Sequence, residues 1–170
     1  MTIPLWIVTL ALGATAGLPF ETARQDPAYM PWEQVPLIFG SNIMVGLILY
    51  AGVATLGTIT IAMTVLAGIY IGSVVGLAAS DWGVGGAADA LLPFLAFEVA
   101  GFAVFGFAGL LPTAELARRL YLRKPSGSAT WRQHANSLSA SLSATLPYAL
   151  LGTVLLIVGA ILEVAGGLPR

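Results

Sequence analysis

From Val35 to Ser80 the chain carries no charged residue, and this run decides what it can fold into. A helix that crosses a bilayer needs about 20 predominantly apolar residues, so the run is roughly twice one span. It reads as two helices joined by a tight turn, roughly Pro36–Leu56 and Thr58–Ala79. The turn falls in Val53–Thr60, where Gly57 and neighbouring threonines interrupt the apolar pattern. A soluble fold would have to bury both helices on all sides, and the rest of the chain is too small and too apolar to cover them. Of the 170 residues, 58% are hydrophobic and 9% charged, where globular domains carry about 25% charged residues. The mean hydropathy of +0.90 points the same way. Lipid is the solvent of most of this chain.

Three more spans complete the expected architecture. Residues 2–20 are uncharged and read as a short first span. They lack the basic n-region of a signal peptide, so they are expected to be retained. Glu21–Gln34 is an acidic break, and Pro27, Pro31 and Pro36 oppose a long helix through it. Tyr29, Met30 and Trp32 suit a headgroup layer. Asp81–Asp89 is a second polar break with a glycine turn. Leu91–Leu111 is long enough to cross a bilayer and holds one ionisable residue, Glu98. Residues 112–143 begin with an amphipathic segment that places Arg118, Arg119, Arg123 and Lys124 largely opposite Leu116, Leu120 and Tyr121, as in a helix lying on an anionic leaflet. The last span covers roughly Leu146–Ala165. The expectation is one all-α domain: a five-span transmembrane helix bundle plus a cytoplasmic amphipathic helix.

Charge sets the expected orientation. The segment 112–143 carries five bases against Glu115, and basic loops stay cytoplasmic. Five spans then put the N-terminus inside and the C-terminus outside a cytoplasmic membrane, with both acidic breaks outside.

The polar residues within the spans are the candidate site. A carboxylate in a span costs a few kcal/mol at least, so Glu98 should face protein or water. Asn42, Glu98 and Glu163 all fall in the outer half of the bilayer in this topology. Their depths permit one polar cluster, although depth alone does not make them neighbours. Glu98 is either a proton- or cation-linked site or a neutral side chain bonded to Asn42 or a backbone carbonyl. Glu163 is expected to reach the outer headgroups. Gly68, Gly72 and Gly76 recur at spacing four, a ladder that lets another helix backbone approach closely, within the chain or from another.

Chemistry is otherwise sparse. The chain has no cysteine and one histidine, His134, which excludes disulfides, thiolate ligands and a histidine-rich metal site. His134 lies outside the spans and the aspartates lie in the breaks, so no intramembrane protease arrangement is apparent. No catalytic residues, cofactor, metal or nucleic-acid partner are expected.

These placed residues resemble the stage II sporulation protein M family of small multi-span membrane proteins, over roughly Pro36–Gly167. The resemblance rests on Asn42 in IFGSNIMVG, Gly68 and Gly72 in VLAGIYIGSVVG, Glu98 in LLPFLAFEVAGFAVFGFAGL, and Glu163 in LLIVGAILEVAGG. The chain has Ser41-Asn42 where the family often has Asn-Asn, and Ala67-Gly68 where it commonly has Asn-Gly. Phe94 and Leu95 stand where a His-Gly pair is common, which removes a natural partner for Glu98. The resemblance implies a membrane protein that works with partners, as the sporulation member is a scaffold that recruits peptidoglycan-remodelling enzymes. The glycine ladder, the basic segment and the absence of chemistry make a non-enzymatic scaffold the leading expectation, engaging partners through Gly68, Gly72 and Gly76 and through the Arg-rich helix. Expected partners are the lipid bilayer and either a second copy of the chain or other membrane or cell-envelope proteins. A small oligomeric transporter or channel with a polar site around Glu98 is the alternative.

Overall fold

The computed structural model describes the backbone of residues 2–16, 31–122 and 131–166, and the side chains of 4–15, 31–118, 140 and 142–166. Within these the chain is all-helical: α1 (Thr2–Ala16), α2 (Val35–Tyr50), α3 (Thr58–Leu122) and α4 (Trp131–Gly166). Short 3₁₀ turns at Trp32–Gln34 and Ala51–Val53 flank α2. Three helical stretches are long and apolar enough to cross a membrane, Trp32–Val53, Thr58–Arg118 and Leu142–Gly166, and the apolar stretch of α1 is shorter. The structure therefore does not delineate the five spans expected from the sequence. The expected first span is longer than α1, and its residues 17–20 lie outside the described residues, as does most of the acidic break. The expected third and fourth spans belong to one element, α3.

The reason lies at Gly83. The expected break Asp81–Asp89 contracts to this one residue, the only non-helical position inside α3, at φ 73° and ψ 163°. Only glycine enters that region readily, because a Cβ would clash there. The residues on either side remain helical, and the two arms, 58–82 and 84–122, fold back on each other. Thr60 and Gly109 would stand about 73 Å apart along a straight helix. Instead, a Cβ at Gly109 would lie 2.6 Å from Thr60 Oγ1. Nearer the bend, Ala78 packs with Ala87 and Leu91, and Val75 and Phe94 cover that cluster.

The second arm of α3 is the centre of the bundle. Phe105, 1% exposed, inserts its ring between α2 and α4 because both present glycine to it. A Cβ at Gly46 or Gly152 would lie 2.7 or 2.8 Å from the ring. Leu49, Phe102 and Leu156 complete this layer. The neighbours fix direction: Asn42 meets Glu98 and Gly46 meets Phe105, so α2 runs parallel to this arm. Gly152 meets Phe105 and Gly159 meets Glu98, so α4 runs antiparallel to it.

The glycine ladder is already occupied. A Cβ on Gly68, Gly72 or Gly76 would collide with Thr9, Leu10 or Ala14 of α1, and one on Gly13 with Ile69. Ser73 Oγ donates to the Gly13 carbonyl at 3.1 Å across this seam. The ladder thus packs within the chain, with α1 parallel to the first arm of α3, and leaves no glycine face there for a partner.

The turn after α2 falls where the sequence placed it, although the helix ends at Tyr50 rather than Leu56. Leu56 (φ 50°) and Gly57 (φ 79°) are both left-handed, and Gly57 N–H donates to the Gly52 carbonyl at 2.8 Å, a helix-ending pattern that suits glycine. The expected separate helix after Pro112 does not exist. Pro112 lies inside α3 with helical dihedrals around it, so the Arg-containing segment continues the second arm as far as Leu122. The expected last span, 146–165, lies inside α4, whose apolar stretch is Leu142–Gly166 although the helix itself starts at Trp131.

Candidate functional site

Three helices bring the intramembrane polar residues together. The Asn42 side-chain amide donates a hydrogen bond to Glu98 Oε1, joining α2 to the second arm of α3. Glu98 is 8% exposed, and α4 closes over it at Gly159. A Cβ there would lie 2.8 Å from Glu98 Cγ, 3.5 Å from Glu98 N and 3.5 Å from Phe94 O. Glycine at 159 is therefore what lets the helix backbone lie against the carboxylate stem. Glu163 follows one turn later on the same face of α4. It is half-buried. Of the three, Asn42 and Glu98 touch, and Glu163 lies one helical turn beyond the glycine that packs on Glu98.

This arrangement can clamp helices. Association of helices in lipid lacks the hydrophobic term and draws on close packing and interhelical hydrogen bonds, and both meet at Glu98. Phe94, one turn before Glu98 on the same helix, has no polar side-chain atom to offer it, and the bonded partner from another helix is Asn42. Among the described residues, no group of three or more His, Asp or Glu side chains is placed to hold a metal ion.

Two other polar junctions escaped sequence reading. Thr60 Oγ1, fully buried, donates to the Leu49 carbonyl at 2.6 Å, with Gly52 and Gly109 making room for it. Thr64 Oγ1 donates to Thr60 O at 2.7 Å. On the α2–α4 contact, Tyr50 Oη and Thr145 Oγ1 lie 2.7 Å apart. Thr145 Oγ1 also donates to the Leu142 carbonyl at 2.7 Å, so Tyr50 is the donor between them. Of these hydroxyls, Thr60 faces glycines of neighbouring segments, Gly52 and Gly109, a pairing that no local sequence pattern marks.

The basic residues stand apart from this cluster. Arg118 is exposed and pairs with Glu115 at 3.1 Å, one turn away on the same helix. Arg119 is on α3 with its side chain outside the described set, and Arg123 and Lys124 lie outside the described residues. The backbone of His134 belongs to α4.

No curated protein sequence matches the chain, and no solved structure does. A family comparison does: the sequence model described as stage II sporulation protein M matches residues 4–165, which takes in all four helices and all three polar residues. On that match, the chain belongs to the stage II sporulation protein M family.

Proposed function

We propose that this protein is a non-enzymatic membrane scaffold that crosses the cytoplasmic membrane five times and assembles partner proteins there. The observation that carries the reading is the closure of the site around Glu98. Its carboxylate is bonded to Asn42 and packed against Gly159. A transport path would need such a group to face water or an exchangeable ligand, whereas a clamp needs it held.

Five crossings are supported by the bend at Gly83 and by the lengths of the packed segments. Take the turn at 54–57 as one edge of the hydrocarbon. About 20 residues, or roughly 30 Å, then lead from it to Glu33 on α2, to Ala78 on the first arm and to Ala90 on the second. The same distance from Thr145 reaches Ala165 on α4. Glu33, Asp81 and Asp89 lie at or beyond the far edge, and Glu115 and Arg118 beyond the near one. Only Glu98 and Glu163 remain between, with Glu98 about eight residues or ~12 Å from the far edge. Helix α1 is shorter than this slab and rides on the first arm as a fifth segment. The bases after Pro112 favour the cytoplasmic side for the near edge, giving an inside N-terminus and an outside C-terminus.

A second reading, a small oligomeric transporter or channel, is favoured by one observation: Glu163 adds a second carboxyl on the face of α4 that packs against Glu98, one turn beyond Gly159. Glu98→Gln separates the two. As a scaffold, the variant folds, keeps its partners in native-membrane crosslinking and differs little from wild type. As a transporter, it loses proton- or ion-coupled flux in liposomes. Crosslinking that returned only a monomer with no co-purifying protein would remove the support for the scaffold.

A further inference from the structure

The bundle is not level at the end marked by the 54–57 turn. There Gly57 packs against the second arm of α3, its added Cβ reaching Leu110 at 2.6 Å and Thr113 at 3.6 Å. Beyond that level, among the described residues, α2 and the first arm have ended and only α3 and α4 continue. From Thr113 to Leu122, α3 rises nine residues further, about 14 Å. The contacts of Gly101 with Gly152 and of Phe107 with Tyr148 define an antiparallel register with α4. Carried forward along both helices, it sets Leu122 opposite residue 133. Helix α4 starts at Trp131, so both helices reach the same height.

This geometry decides between two roles for the basic residues. A helix lying along the leaflet must bend sharply where it leaves the bundle, near Pro112. The only non-helical dihedrals inside α3 are at Gly83, so the segment leaves along the bundle axis. The polar layer on each side of a bilayer is about 5–8 Å deep, and an extension of about 14 Å passes through it. We infer that residues 114–122 and 131–141 form a two-helix stalk that carries Arg119 and Arg132 beyond the lipid headgroups and docks an acidic surface of a soluble cytoplasmic protein. The inference rests on the scaffold reading and names the chemistry of the partner. Charge complementarity selects it: Arg118, Arg119 and Arg132 stand against Glu115 alone on the two helices. The Glu115–Arg118 pair is exposed and spaced i,i+3, a kind of contact too weak to withhold Arg118 from a partner.

The test uses the full-length protein in nanodiscs of neutral phosphatidylcholine, with a fluorescent poly-glutamate of about 20 residues as the acidic probe. Labelled probe should bind the protein-bearing discs and not bare discs. Binding should weaken tenfold or more in the triple variant Arg118→Glu, Arg119→Glu, Arg132→Glu, and should fall with added salt. Because the chain has no cysteine, a spin label on Leu122→Cys reports depth independently of any ligand. It should be accessible to a water-soluble relaxant equally in neutral discs and in discs with 30% anionic lipid. Absent or charge-insensitive probe binding would overturn the docking role. A Leu122 label protected in the headgroup layer of anionic discs would overturn the stalk and return these residues to lipid. Either failure leaves the five-crossing bundle and the flux test on Glu98→Gln untouched.

Discussion

Replacing Gly72 by alanine should release α1. The added Cβ would fall on the Leu10 carbonyl group and lie 2.9 Å from Leu10 C and 3.0 Å from Ala14 N. These are backbone atoms, so no side chain can rotate away, and the two helices must separate or slide. Overpacking of this kind costs about 1–3 kcal/mol, offset by up to about 1 kcal/mol from the better helix propensity of alanine. Because the atoms struck are backbone, the cost falls in the upper part of that range, about 2–3 kcal/mol, and the net is ~1–2 kcal/mol. Helix association in lipid has no hydrophobic contribution, and α1 packs principally on α3. The docked-to-undocked ratio should therefore fall about 5- to 30-fold. The reporter is Trp6, 4% exposed and seated with Ile71 and Phe102, in a protein whose Trp32, Trp82 and Trp131 are replaced by Phe. Quenching by brominated lipid should rise sharply in Gly72→Ala. Gly85→Ala is the control, since a Cβ there meets nothing within 4 Å, and it should leave Trp6 protected. If Gly72→Ala left quenching unchanged, the seam would not hold α1 and the reasoning from the ladder would be refuted.

Other substitutions test other layers. Phe105→Ala should lower stability by about 3–5 kcal/mol, read as the loss of a cooperative thermal transition in detergent, because the ring fills the gap between Gly46 and Gly152. Thr60→Val keeps the shape but removes the donor to Leu49 O. It should cost about 1 kcal/mol, within the span measured for buried hydrogen bonds in membrane proteins, seen as a lower midpoint of unfolding. Arg118→Ala should change stability by less than about 0.5 kcal/mol, since exposed ion pairs contribute little; a larger loss in thermal unfolding would mean that the stalk depends on the pair.

The class of fold was legible because lipid imposes a simple rule on sequence: long uncharged runs become helices. The same rule hides where one helix ends. Nothing in an apolar run marks whether a glycine bends it, so Asp81–Asp89 reads as a loop although Gly83 alone reverses the chain. Pro112 reads as a helix start although it lies inside one. Glu98 and Asn42 were visible as the costly residues in their spans, but their contact depends on helix rotation, which no local pattern gives. Glycines at spacing four predicted close packing, and only the fold shows that α1 fills that face. The Thr60 and Thr145 junctions were illegible for the same reason, since each hydroxyl gains its role from a different helix.

The most direct test is the thermodynamic coupling between Asn42 and Glu98, from a double-mutant cycle of Asn42→Ala and Glu98→Ala with reversible unfolding measured in bicelles. If the pair clamps α2 to α3, the coupling should be favourable by about 0.6 kcal/mol or more, the mean for interhelical hydrogen bonds in lipid, whose measured maximum is about 1.7 kcal/mol. A coupling indistinguishable from zero would mean that the two side chains act independently, and the account of Glu98 as a structural clamp would fail.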